Sequence, residues 1–538
     1  MAHPQDNRPL SFRMLVGLNV AILVLSVVVG ACFFRGALGF ADGVNMFSPY
    51  PKISVRIAAT PYEYVSDWYN HMNGRVSQAI MDCGLFVYAK AFARTPEAFP
   101  WWLMRSLSLF CAMAAPFNFL VPAIGRGNCG LGAILGLYLT ILVSWMLSYN
   151  VVTYSLWFDV LLTDRFLPIY VISLMCIILH RGWFEQTLFG EALHGALYLF
   201  FAVEQFLVTM PILFLAFAWV GDAKTRSKGF WLKRIFYYAL LTALAAGVYF
   251  YSPGQRLRNR LLAPNPAGIT FESIFAWLRD DLSRGYLMLW GDASHSVIMF
   301  LHLAVYCTVA VIAFVALCAY RSARRADQRF PPIDGLLNAS VLSLAFLTAY
   351  GASLATLFIK RHFPEYAIHY PAILLAVGLG YGVLVIIQLL DGVTWTALRS
   401  ALHPETPVAS RPVFRYWPSF LPWLALGALI AGVLAPSWPK LQAGYHEVKA
   451  HGQIRHEIFQ QVIQLHQATG QTHFILIHCP VRSHGGTMEP PWGVEGYFRW
   501  CGYGNLIVYL DDNYDFPTRP LDRSYTTIDC ASLVAKYL

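Results

Sequence analysis

The sequence contains few charged residues: Asp, Glu, Lys and Arg together make up 13% of its 538 positions, whereas 57% are hydrophobic. A soluble globular domain usually carries about 25% charged residues. This shortage excludes an ordinary soluble protein and predicts one that crosses a membrane several times. The net charge of +9 does not indicate a nucleic-acid partner, because the basic residues cluster in short loops between apolar runs, as in membrane proteins generally.

The cysteines show neither a C-x-x-C pair nor a zinc-binding spacing, so no metal ligands are assigned. Most of them lie in or beside apolar runs, where cysteine behaves as a small hydrophobic residue. Three others, Cys479, Cys501 and Cys530, fall in the C-terminal segment. In an oxidising compartment two of these three are expected to form a disulfide. The sequence does not choose the pair.

The chain also lacks an internal repeat, which disfavours transporters built from inverted repeats. Apolar runs of spanning length recur instead, beginning with residues 14–34. About 20 apolar residues cross a bilayer, and the runs predict about eleven spans if the long stretch 187–220 turns near Glu204. Basic loops, one of them running from Lys224 to Arg234, then fall on one side, which places the N-terminus in the cytoplasm and the C-terminus outside.

This pattern divides the chain into two predicted parts. Residues 1–435 are predicted to form an all-α membrane domain, whose first outer loop, 35–99, carries amphipathic helices lying on the membrane surface. Residues 436–538 are more polar and predict a small α/β extension on the outer side. Its helix is expected to end at Gly470, and strands are expected at Phe474–Ile477 and Leu506–Leu510.

Carboxylates in the first outer loop are candidates for proton transfer. Asp42 lies shortly after the first span, where it could take a proton from a hydroxyl that attacks the anomeric carbon of a sugar. The alternative is an ordinary loop residue at the interface. Glu63 and Asp67 are rival carboxylates on a predicted helix, where solvent-facing acidic residues are common.

Cationic side chains in the outer loops are candidates for binding a lipid phosphate. Arginine suits this task because its guanidinium group offers parallel N–H donors to phosphate oxygens. The candidates are Arg75, Arg256, Arg258, Arg361 and His362. Arg256 and Arg258 belong to a segment in which Pro253-Gly254 predicts a tight turn. Arginines that reach from an interfacial turn into water are the alternative.

Two further carboxylates are candidates for binding sugar hydroxyl groups. Glu204 lies among apolar residues, where an unpaired carboxylate is unfavourable, so it is expected to bind a sugar hydroxyl or to pair with an arginine. A short re-entrant turn that reaches water is the alternative. Asp159 lies beside Tyr154 and Trp157, a combination that suits sugar stacking but is also found in the aromatic belt of membrane proteins.

Together these features resemble bacterial GT-C-type membrane glycosyltransferases over residues 35–370. The resemblance rests on the acidic first outer loop, the Glu204 turn, the Ser252-Pro253-Gly254-x-x-x-Arg258 segment and the run Tyr69-Asn70-His71-Met72-Asn73-Gly74-Arg75. It implies a GT-C fold, a polyprenyl-phosphate-linked sugar donor and a catalytic base at Asp42. Many relatives carry paired acidic residues there, whereas this chain has Ala41-Asp42-Gly43, so a divalent metal is left open and no other cofactor is expected.

The sequence therefore predicts an enzyme of the bacterial inner membrane that transfers a sugar to a glycan, lipid or protein acceptor on the periplasmic face. Two alternatives stay open: a transporter or flippase of lipid-linked glycans, and a polymerase or ligase of the O-antigen type.

Overall fold

A layer of helices followed by one small parallel sheet makes up the described part of the chain in a computed structural model. The structure describes residues 12–33, 100–123, 131–148, 166–182, 187–202, 204–221, 227–256, 295–325, 331–359, 369–390, 392–402, 420–431, 435–479, 505–510 and 525–537, with short pieces between 65 and 92 and between 498 and 503.

The helices before the sheet are α1 (Phe12–Phe33), α2 (Trp101–Leu120), α3 (Leu131–Ser148), α4 (Leu167–His180), α5 (Leu188–Phe201), α6 (Glu204–Val220), α7 (Lys228–Tyr251), α8 (His295–Arg325), α9 (Pro331–Ile359), α10 (His369–Leu390), α11 (Gly392–Leu402), α12 (Leu421–Leu429) and α13 (Ala435–Thr469). Six described helices, α1, α2, α7, α8, α9 and α10, are long and apolar enough to cross a membrane, and α3 to α6 are shorter apolar helices. These helices indicate a multi-pass membrane protein. The number of eleven spans stays a prediction.

Burial separates the helices into an inner and an outer group. The most apolar windows of α2 and α10 are 72% buried, whereas those of α1 and α8 are only 22% buried. On α7 a row of exposed side chains follows the four-residue helical spacing, formed by Leu232, Phe236, Leu240, Leu244 and Val248. An apolar row of this kind is unfavourable in water and favourable against lipid acyl chains. The exposed faces of α1, α7 and α8 are therefore membrane-facing.

Buried polar side chains tie α1, α2 and α4 together. The Asn19 amide donates to Asn118 Oδ1 over 3.1 Å, and the Asn118 amide donates to Ser173 Oγ over 3.1 Å. At the other end of the α1–α2 contact, a Cβ on Gly30 would lie only 1.7 Å from Ser106 Oγ. Small residues and interhelical hydrogen bonds of this kind hold helices together in a bilayer, where apolar burial does little between helices.

The C-terminal segment forms an α/β unit, as predicted. Its strands are β1 (His473–Ile477), β2 (Ile507–Leu510) and β3 (Thr526–Asp529), followed by α14 (Ala531–Tyr537). The strands are parallel in the order β2-β1-β3. One face of β1, formed by Phe474 and Leu476, is buried in the same hydrophobic cluster as Ile458 of α13. The predicted end of the helix at Gly470 is confirmed, with a φ of 72° at that residue. Both predicted strands are confirmed as well, and β3 was missed.

A disulfide joins Cys479 to Cys530, with the two Cα atoms 5.4 Å apart. Cys479 follows β1 and Cys530 follows β3, so the bond links the carboxyl ends of neighbouring strands. Cys501 takes no part in this disulfide. The expectation of one disulfide among the three C-terminal cysteines is confirmed, and the pair is now specified.

We predict that Asn118→Leu weakens the membrane part. The change keeps a similar volume but removes both interhelical hydrogen bonds of the side chain, which is expected to lower the free energy of unfolding by about 1–2 kcal/mol. Thermal unfolding of the purified protein in lipid nanodiscs measures the effect. Thr356→Val is the control, because the hydrogen bond from Thr356 Oγ1 to Ser353 O lies within one helix. An equal loss in both variants would contradict the interhelical role of Asn118.

We also predict that peptide mapping under non-reducing conditions recovers Cys479 linked to Cys530, while Cys501 reacts with a thiol reagent. Cys501→Ser should leave this linkage intact. Cys530→Ser should lower the stability of the C-terminal unit by about 2–4 kcal/mol, because the bond closes a long loop. Recovery of Cys501 in the disulfide would show the pairing to be wrong.

Candidate functional site

The stretch 187–220 breaks at Glu204, as predicted. α5 ends at Phe201 and α6 begins at Glu204. The backbone φ of Glu204 is 46°, in the left-handed region that costs a residue other than glycine about 1–3 kcal/mol. A glycine would form this turn with less strain. The presence of a glutamate, rather than a glycine, at this strained position therefore needs an explanation.

The Glu204 side chain contacts the last turn of α7. Tyr249 Oη donates a hydrogen bond to Glu204 Oε1 over 2.9 Å. Tyr249 itself is buried, whereas Glu204 is half-buried. The Tyr249 hydroxyl therefore holds the carboxylate while part of the Glu204 side chain stays accessible. This tyrosine contact was not predicted from the sequence, and the predicted sugar or arginine contact of Glu204 stays a prediction.

The segment after α7 begins a new helical turn. Ser252 Oγ accepts the N–H of Gln255 over 3.2 Å, and the Ser252 carbonyl accepts the N–H of Arg256 over 3.2 Å. The prediction of a Pro-Gly tight turn is wrong, because Ser252 caps this turn and Pro253 occupies its first position, which needs no N–H. The Ser-Pro pair was the signal in the sequence.

Arg256 is exposed at the end of this turn. Its guanidinium carbon lies 5.3 Å from the centre of the Tyr251 ring. Since Ser252 follows Tyr249 by less than one helical turn, Arg256 and Glu204 belong to the same end of the α6–α7 pair. We call Glu204, Tyr249, Ser252, Gln255 and Arg256 the Glu204 site.

The first turn of α10 lies against the same end of α6. The hydroxyl groups of Thr209 and Tyr370 are 2.6 Å apart, and the rings of Phe206 and Tyr370 are 4.4 Å apart. The chain thus enters α10 beside the Glu204 turn. Arg361 and His362 precede α10 in the sequence, and their positions lie outside the described residues.

Of the predicted site residues, the structure describes Glu204 and Arg256 and places both at the Glu204 site. The remaining candidates lie outside the described residues: Asp42, Glu63, Asp67, Arg75, Asp159, Arg258, Arg361 and His362. Their roles stay predictions. Among the described residues no group of three or more His, Cys, Asp or Glu side chains could hold a metal ion.

An ion pair at the opposite end of α7 was missed. Arg234 donates from Nη1 to Glu191 Oε2 over 2.9 Å and from Nη2 to Glu191 Oε1 over 2.5 Å. Assigning Arg234 to a basic loop was wrong, because it lies inside α7 and is buried. A carboxylate and an arginine, each just inside an apolar run, were the available signal. Arg105, buried within α2, was missed as well.

Between this ion pair and the Glu204 site lies His194. Its ring is fully buried, with the ring centres of Phe214 and Tyr238 at 5.4 and 5.6 Å. Further along, the hydroxyl groups of Tyr198 and Thr242 are 2.7 Å apart. Polar groups therefore mark the whole contact between α5 and α7.

No model of a known protein family matches the sequence, and neither a curated protein nor a solved structure is significantly similar to it.

What the Glu204 site can do chemically follows from its groups. A half-buried carboxylate with one oxygen on a tyrosine hydroxyl can accept hydrogen bonds from sugar hydroxyls. The exposed Arg256 guanidinium at the same end of the helices can bind phosphate oxygens.

We predict that Tyr249→Phe lowers the stability of the α6–α7 contact. The variant removes the Tyr249 hydrogen bond to the Glu204 carboxylate, a loss of about 1.5–3 kcal/mol for a hydrogen bond to a charged group. Thermal unfolding in nanodiscs measures it. Tyr238→Phe on the same helix is the matched control, because the Tyr238 hydroxyl is buried without a hydrogen-bond partner among the described residues. Equal melting temperatures for both variants would refute a role for the Tyr249 contact.

Proposed function

We propose that the protein is a membrane glycosyltransferase that moves a sugar from a polyprenyl-phosphate-linked donor to a glycan, lipid or protein acceptor. The observation that carries this proposal is the Tyr249–Glu204 hydrogen bond. This bond holds Glu204, whose backbone is strained, at the same end of the helical layer as the Arg256 turn, although the two belong to different helices. A carboxylate for sugar hydroxyls beside a cation for phosphate is the pair that a lipid-phosphate sugar requires.

In the proposed reaction the acceptor hydroxyl gives its proton to the Asp42 carboxylate as its oxygen attacks the anomeric carbon. A new glycosidic C–O bond forms, and the bond between the anomeric carbon and the phosphate oxygen breaks. The polyprenyl phosphate leaves with the bonding electron pair as a stable anion, so a strong general acid is not required.

The remaining candidates have roles that follow from their charge. Arg256, together with Arg75, Arg258, Arg361 and His362, holds the donor phosphate through charge-assisted hydrogen bonds. Glu204 and Asp159 orient sugar hydroxyls. Glu63 and Asp67 are the rival acidic groups on the acceptor side. The fold proposed for this arrangement is of the GT-C type with eleven spans.

The proposed location is the periplasmic face of a bacterial inner membrane. The Cys479–Cys530 disulfide supports it, because such bonds persist in oxidising compartments. The basic loops of the sequence favour a cytoplasmic N-terminus by the positive-inside rule. In the topology predicted from the sequence, the C-terminal unit and the Glu204 site lie on the same outer side.

We predict that the purified protein in detergent releases polyprenyl phosphate from undecaprenyl-phosphate-linked hexoses or pentoses when acceptor glycans are present. Asp42→Asn should lower the rate by about 100-fold or more, because it removes the general base. Arg256→Gln should lower kcat/KM by about 10- to 100-fold through the lost phosphate contact. Thin-layer chromatography of a radiolabelled donor measures both.

Arg324→Gln is the matched control, because Arg324 is an exposed arginine near the end of α8, at the end of the layer opposite the Glu204 site. Its activity should equal that of the unmodified protein. Detergent leaves no second compartment, so transfer under these conditions excludes a flippase as the sole function. Unchanged activity in Asp42→Asn at a normal protein level would remove Asp42 from the mechanism.

A further inference from the structure

The C-terminal sheet has a topological switch point between β1 and β3. The chain leaves β1 for β2 on one side and later reaches β3 on the other, which gives the order β2-β1-β3. In open parallel sheets, ligands bind outside the carboxyl ends of the strands at such a point. The residues that matter are therefore the last of β3 and the first after β1.

Those residues are Asp529 and His478, and they contact each other. His478 Nδ1 and Asp529 Oδ1 are 2.9 Å apart. The side chains are 66% and 56% exposed, so the pair is open to a ligand. With Nδ1 bonded to the carboxylate, Nε2 of the imidazole points away from this contact and is available to a ligand.

The pair is held in place by covalent and hydrogen-bonding constraints. Asp529 Oδ1 also accepts the N–H of Ala531 over 2.9 Å, and the Cys479–Cys530 disulfide directly follows both residues. The backbone φ of His478 is 56°, which is uncommon for a residue with a Cβ. Because the His478 side chain is exposed, its packing does not explain this backbone strain. Strain at an exposed, hydrogen-bonded side chain is typical of binding sites.

The charge of the pair limits the ligand class. The Ala531 N–H and His478 lower the pKa of Asp529 below its ordinary value, so this carboxylate is ionised at neutral pH. A phosphate or carboxylate ligand would be repelled by it. A neutral ligand with neighbouring hydroxyl groups fits instead: one hydroxyl donates to the free carboxylate oxygen, and the next bonds to His478 Nε2.

We propose that His478 and Asp529 form a carbohydrate-binding site that takes a sugar through two adjacent hydroxyl groups. That this sugar belongs to the acceptor rests on the proposed glycosyltransferase function. The site then binds the acceptor glycan on a unit separate from the helices that carry the donor site. The acceptor class would accordingly be a glycan or a glycosylated molecule.

The test measures binding without any lipid-linked donor. Full-length protein in lipid nanodiscs, free of sugar-based detergents, is mixed with the methyl glycosides of mannose, galactose and glucose. Saturation-transfer NMR detects binding. At least one glycoside should bind, and its 3-deoxy analogue, which lacks the hydroxyl group shared by both adjacent pairs of the ring, should bind at least tenfold more weakly.

Two variants and a control assign the binding to the pair. Asp529→Asn should weaken binding at least tenfold. His478→Asn should do the same without disturbing the backbone, because asparagine tolerates the left-handed region. Lys536→Gln, an exposed change in the same unit, should bind normally, and peptide mapping of the Cys479–Cys530 bond checks folding in each variant.

The proposal is overturned if no glycoside binds, if the 3-deoxy analogue binds equally well, or if both site variants bind as the control does. Inorganic phosphate that displaces the glycoside would also overturn the exclusion of anions. Because no donor is present, failed sugar transfer leaves this result unaffected. Glycoside binding without transfer would refute the enzyme while keeping the binding site.

Discussion

The parallel contact between α5 and α7 fixes the geometry on which the candidate site depends. In a bilayer, packing and interhelical hydrogen bonds set the helix register, because lipid is as apolar as the helices. Here the register is set by two contacts between α5 and α7, Glu191 with Arg234 and Tyr198 with Thr242, and by a third between Glu204, just beyond α5, and Tyr249. A slip of one residue between the helices would break all three contacts. The position of the Glu204 carboxylate beside the Arg256 turn is therefore a consequence of the whole contact.

The same contacts place the ion pair and the candidate site at opposite ends of α7. From Arg234 to Tyr249 the helix rises about 22 Å, which is most of the roughly 30 Å thickness of the hydrocarbon core. A bidentate pair at that distance cannot touch a substrate held at Glu204. Its effect is to let α5 and α7 carry a carboxylate and a guanidinium into an apolar layer, where either charge alone would be strongly unfavourable. We therefore regard Glu191–Arg234 as a structural element that positions the Glu204 site.

Much of the helical layer could be predicted from apolar run length alone, including the break at Glu204. Arg234 could not be placed correctly, because a basic residue near the start of a run looks like a loop residue until its partner, 43 positions earlier, is known. β3 was missed because Thr526–Asp529 holds a single large apolar residue. The proximity of Glu204 to Arg256 depends on a tyrosine hydroxyl, and a tyrosine in an apolar run is indistinguishable by pattern from any other aromatic residue.

Among the described residues, Glu204 and His478 are the ones other than glycine with a positive φ. Both lie at the junction between two elements, and both side chains are hydrogen-bonded by a residue from a different element, Tyr249 and Asp529 respectively. Neither is needed for the turn itself, since glycine adopts this conformation without a Cβ penalty. Where a titratable side chain is kept at a strained turn, the interactions of that side chain offset the free energy that the backbone conformation costs. The same physical argument therefore applies to both proposed binding sites, one among the membrane helices and one on the C-terminal sheet.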